Sequence, residues 1–64
     1  MNNYEVRSIW EGQILDSREF DSEILAEAYY GSSEDLYRRS DGSEGVTVQL
    51  IDNETSDVLF ERTF

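Results

Sequence analysis

Residues 23–35, EILAEAYYGSSED, decide how this chain folds. Four carboxylates and no base share the segment with apolar residues at helical spacing. Leu25, Ala28, Tyr29, Ser32 and, one turn on, Leu36 fall on one side of a helix, with Ile24 flanking them. Asp21 or Ser22 suits the N-cap and Glu23 the first turn, while Arg38 and Arg39 suit the negative end of the helix dipole. The pattern predicts a helix from about Ser22 to Arg39. Gly31 costs it roughly 1 kcal/mol relative to Ala. The stripe stays in phase across Gly31, so one continuous helix is expected. The alternative is a split into two short helices, the second capped by Ser32 or Ser33.

Strand patterns lie on either side. Tyr4, Val6, Ser8 and Trp10 alternate with outward residues, and Glu11-Gly12 has the composition of a two-residue hairpin turn. That turn pairs Arg7 with Asp16 and Glu5 with Arg18, placing opposite charges across the strands twice. Leu15 joins Val6 and Trp10 on the inner face in this register. Phe20 falls on the other face unless a bulge or the strand end re-aims it. Beyond the helix, residues 40–45, SDGSEG, read as a loop. Val46, Val48 and Leu50 then mark a strand over residues 46–51, DNETSD (52–57) makes a turn, and residues 58–64 form the last strand. Two hairpins joined by a helix give an α+β fold, ββαββ, in one domain spanning residues 1–64. Placing strand three beside strand one makes every pairing antiparallel, with order 2-1-3-4. The helix covers one face of the sheet and leaves the other open.

Composition narrows the function. The chain has 64 residues, no Cys and no His, so it has neither a disulfide nor the commonest general base and metal ligand. A core drawn from Val6, Trp10, Leu15, Leu25, Leu36, Val46, Val48, Leu50 and Phe60 must hold it together, alone or with a partner chain. No apolar run resembles a signal peptide or a membrane span, and a cytoplasmic location is the expectation. Asn53-Glu54-Thr55 matches a glycosylation sequon, which has no consequence in that compartment. Fifteen acids oppose five bases, all of them Arg, for a formal net charge of −10. Direct binding to nucleic acid or to an anionic membrane is therefore not expected.

The acids cluster. Asp16, Glu19, Asp21, Glu23, Glu27, Glu34 and Asp35 face a single base, Arg18, across that span. At about 100° per residue, Glu23, Glu27, Tyr30, Glu34 and Arg38 gather opposite Leu25 and Leu36, with Glu23 and Glu27 about 6 Å apart along the axis. That step is comparable to the phosphate spacing along one DNA strand. Tyr30 faces outward in this phase, and Tyr37 is peripheral; Tyr is a favoured interface anchor. The partner-binding candidates are accordingly Asp16, Glu19, Asp21, Glu23, Glu27, Tyr30, Glu34 and Asp35. The competing interpretation is a solvated helix face, or acidity suited to high salt. DNETSD and SDGSEG offer oxygen ligands, but neither matches the calcium loop, so no metal or cofactor is expected. No catalytic residue is assigned, because a domain this small has little room for a water-excluding pocket.

A small, acidic, cysteine-free α+β chain resembles the phage-encoded inhibitors of host defence, notably anti-CRISPR proteins and other DNA mimics. The resemblance spans the chain in size, charge and layout, and rests on no shared motif, so no functional residue is carried over. It implies a non-catalytic inhibitor, acting in the host cytoplasm, that occupies the basic nucleic-acid-binding surface of a protein such as a CRISPR effector. The alternative is a small accessory or structural domain whose acidity reflects solubility or high salt. Either could be a monomer or a homodimer, the latter through the open sheet face or the last strand.

Overall fold

The structure, a computed structural model, describes residues 3–39, 42 and 44–64. Its elements run β1 (Tyr4–Trp10), β2 (Gln13–Phe20), α1 (Glu23–Arg39), β3 (Thr47–Asp52) and β4 (Asp57–Thr63). The sheet has the order β2-β1-β3-β4, and its neighbours are antiparallel throughout. This is the expected ββαββ arrangement, one sheet and one helix thick.

The β1–β2 hairpin turns at Glu11 and Gly12, with φ of 49° and 78°. Positive φ at both central residues is the signature of a type I′ turn, whose twist matches that of the strands. Trp10 pairs with Gln13 and Ile9 with Ile14, as a two-residue loop requires. The register then slips by one, and Ser8 lies opposite Asp16. Leu15 is the extra residue, a bulge that inverts the facing of everything after it. The expected pairs Arg7–Asp16 and Glu5–Arg18 therefore do not form; Arg7 lies opposite Ser17 and Glu5 opposite Glu19. Glu5 instead accepts hydrogen bonds from Arg7 on its own strand at 3.0 Å and from Ser17 at 2.8 Å. The bulge also settles Phe20, which pairs with Tyr4 and faces the helix. Leu15 itself is exposed, and so is much of Trp10; neither joins the core.

The second hairpin repeats the device. Leu50 lies opposite Phe60 but Ile51 opposite Val58, which makes Leu59 the extra residue of β4. Both bulges sit in edge strands, where they twist the exposed edge away from pairing with another chain. The turn between β3 and β4 is satisfied locally. Ser56 N donates to Asp52 O at 2.7 Å, Glu54 N to the Asp52 carboxylate at 2.9 Å, and Asp57 N to Thr55 Oγ1 at 3.3 Å. The side-chain oxygens of Asp52 and Thr55 thus serve the turn's own backbone.

Helix α1 is continuous through Gly31 and begins as expected, with Ala26 N donating to Ser22 O at 3.0 Å. Its orientation differs from the sequence expectation. Ala26 and Ser33 are the buried residues, and Tyr29, Tyr30 and Tyr37 pack against the core, whereas Leu25, Ala28, Ser32 and Leu36 are exposed. The packed positions follow the 3, 1, 3, 4 spacing of a helix face. Small Ala26 and Ser33 let the helix backbone approach the sheet, and the tyrosines lean to either side. Tyr29 meets Phe20 of β2 (ring centroids 5.4 Å apart), Tyr30 meets Phe60 of β4 (5.8 Å), and Tyr37 meets Phe64 (6.3 Å). Each such pair contributes about 0.5–1.5 kcal/mol beyond its buried area. Beneath them, Val6, Val46, Val48 and Leu50 complete the core with Ala26. Tyr30 is therefore a clamp against β4 and not an outward residue.

Candidate functional site: the acidic helix flank

The helix rotation redistributes the acids. Asp16 lies on the β2 side, half-buried, where it accepts a hydrogen bond from the Tyr29 hydroxyl. Arg18 stands over the same tyrosine ring, 5.5 Å from its centroid. Glu19 lies opposite Glu5 on the sheet face away from the helix. Asp21 is exposed in the β2–α1 connection, and Asp35 is exposed with Arg38 at 3.4 Å. Glu23 opens the helix beside the Tyr4 hydroxyl. Glu27, Tyr30 and Glu34 line a shallow groove with Gly31 and Phe60, between α1 and β4. The eight candidates thus occupy several surfaces; the structure brings Glu27, Tyr30 and Glu34 together and leaves Asp16, Glu19 and Asp35 elsewhere.

One feature of the groove was expected and one was not. Phe60, expected in the core, turns toward the helix through the bulge at Leu59 but stays half-exposed there. Arg62, two residues on and on the same side, reaches Glu34 at 3.2 Å and lies 5.1 Å above the Phe64 ring. A long cation spanning β4 and α1 could have been anticipated only with the strand facing in hand.

The tyrosines record the acidic surroundings. Burial pushes the Tyr30 phenol up, reinforced by Glu34 and Glu61 and opposed by Arg62. Tyr4 is raised by burial and by Glu23, Asp52 and Glu54 around it. Tyr29 is raised first by its hydrogen bond to the Asp16 carboxylate, then by burial. Glu5 is held below the usual carboxylate range mainly by the hydrogen bond from Arg7, against the opposing effect of its partial burial.

Ion pairs offset only part of the charge. Arg7, Arg38 and Arg62 are engaged by Glu5, Asp35 and Glu34 respectively. Glu27 makes no ion pair or hydrogen bond among the described residues. Among the described residues no group of three potential ligands converges on a metal position. The loop SDGSEG, the other sequence candidate, lies partly outside the described residues. No described helix is long and apolar enough to cross a membrane. In comparisons with protein-family models, curated proteins and solved structures, no match to this chain was found.

Proposed function

We propose that this protein is a non-catalytic inhibitor that binds the basic surface of a nucleic-acid-handling protein, such as a CRISPR effector, and blocks DNA binding there. The observation that carries the reading is the uncompensated charge. The chain holds a net −10, and its arginines Arg7, Arg38 and Arg62 are already engaged by its own carboxylates. Exposed acids outside those pairs, among them Glu19, Asp21 and Glu27, attract a cationic surface, speeding encounter and opposing phosphate in the same place. The test is displacement of a labelled DNA duplex from the effector, followed by fluorescence anisotropy. The protein is expected to release the DNA, and Glu23→Lys with Glu27→Lys to lose that ability while keeping the helical circular dichroism. Unchanged displacement by the variant, or none by the parent protein, would sink the reading.

A second reading draws on the exposed apolar residues Ile24, Leu25 and Leu36 on the outer side of the helix. It takes the chain as an accessory domain that dimerises, its acidity suited to solubility or high salt. Sedimentation velocity tests the dimer: one strengthened by molar KCl supports this reading, and a monomer at every salt concentration removes it.

A further inference from the structure

We propose that the groove between α1 and β4 is a receptor for a single arginine side chain of the basic partner, an inference that rests on the basic-partner reading above. The groove is shallow and open, with a volume of about 240 Å³, and is lined by Glu27, Tyr30, Gly31, Glu34 and Phe60. Small-molecule sites usually span about 300–1,000 Å³. This one is smaller, which suits one long side chain. Its chemistry selects a planar cation. The Tyr30 and Phe60 rings, tilted against each other at 5.8 Å, line it, and Glu27 and Glu34 place carboxylates beside them. A guanidinium satisfies both at once, stacking on a ring while its N–H donors reach carboxylate oxygens; an ammonium has no flat face to stack.

The protein displays the same recognition at the rim of the groove, where its own Arg62 engages the lining residue Glu34. Arg62 donates to Glu34 at 3.2 Å while lying 5.1 Å above the Phe64 ring. Arg62 neutralises part of the Glu34 charge, which leaves Glu27 as the carboxylate without an internal partner among the described residues. Gly31 keeps the groove open: a Cβ there would meet nothing within 4 Å, so the space beside it is unfilled. Charge also disfavours a second copy of this chain as the occupant at low salt, since each copy carries a net −10.

The experiment is an NMR titration of the ¹⁵N-labelled protein with a hexa-arginine peptide at low salt. Hexalysine is the comparison peptide, and Gly31→Leu and Glu27→Gln are the variants. Shifts concentrated at Glu27, Tyr30, Gly31 and Phe60 are expected, with weaker binding of hexalysine. Gly31→Leu fills the groove and should raise the peptide Kd by about tenfold or more. Glu27→Gln, a surface change that keeps the shape, should weaken it less and preserves the test if the leucine variant misfolds. Binding with shifts spread over all acidic residues and an unchanged Kd in both variants would overturn the groove receptor while leaving the acidic-surface reading intact. Failure of hexa-arginine to bind at low salt would overturn both.

Discussion

Truncating the leucines of α1 tests the helix orientation through stability. Leu25 and Leu36 are 58% and 59% exposed, so each buries about two-fifths of itself. Full burial of a leucine side chain contributes about 1.5–3 kcal/mol, and two-fifths of that is about 0.6–1.2 kcal/mol. Alanine is the better helix former by a few tenths, which leaves a cost of about 0.5–1 kcal/mol for Leu25→Ala or Leu36→Ala. The apolar-stripe interpretation places both residues in the core, where the same change costs about 2–5 kcal/mol. The difference is decisive at this size, because 64 residues correspond to a total stability of about 3–10 kcal/mol. Urea denaturation followed by circular dichroism reads it directly. With a slope of about 1 kcal/mol/M, each midpoint should fall by about 0.5–1 M. The double variant should remain folded in buffer. Leu50→Ala, in a fully buried position, should lose about 2–5 kcal/mol and calibrates the assay. Losses above about 2 kcal/mol at both Leu25 and Leu36 would refute the orientation.

Backbone and titration behaviour give further checks. Glu11 occupies positive φ without being glycine, so Glu11→Asn should relieve about 1 kcal/mol and raise Tm by about 4–8 °C; a lower Tm would contradict the I′ turn. Gly31→Ala should stabilise by about 1 kcal/mol in urea, because its Cβ meets nothing within 4 Å; destabilisation would mean the space beside Gly31 is filled. Tyr29→Phe should cost about 1 kcal/mol by removing the donor to the Asp16 carboxylate. The Tyr29 phenol has a folded pKa above its unfolded value of about 10, so its contribution is intact below pH 10 and disappears as pH rises through the folded value. Unfolding free energy measured from pH 8 to 12 should therefore fall less steeply above pH 10 in Tyr29→Phe than in the parent; equal slopes would refute the coupling. Glu5 works in the opposite direction: its depressed pKa gives stability present above about pH 4.5 and lost below it. Glu5→Gln should flatten that acid limb in the same titration, and an unchanged limb would count against the Arg7 contact.

The arrangement of elements was legible because turn chemistry marks it. Glu11-Gly12, the capping residues at 21–23 and the polar DNETSD turn fix where chains reverse, and antiparallel pairing then leaves the order 2-1-3-4. The finer geometry was hidden in two places. A bulge adds one residue without any local signature, so Leu15 and Leu59 inverted the facing of Asp16, Arg18, Phe20 and Val58. The helix phase differs from the expected one because leucine, at 25 and 36, dominates an apolar stripe read from hydropathy. What selects the packed face is the pairing of small residues at 26 and 33 with rings that find Phe20, Phe60 and Phe64 across the sheet. Those partners belong to other strands and are invisible to periodicity within the helix. The acidity was legible in full, but its division among surfaces was not, since it follows from both errors.

The groove, the Glu34–Arg62 pair and the separation of Asp16 from Glu27 all depend on how α1 is rotated on the sheet. Side-chain nuclear Overhauser effects measure that rotation directly. Contacts are expected between the rings of Tyr30 and Phe60, Tyr29 and Phe20, and Tyr37 and Phe64. Contacts from the Leu25 and Leu36 methyls to those of Val6, Val48 and Leu50, with the Tyr30–Phe60 contact missing, would contradict the account.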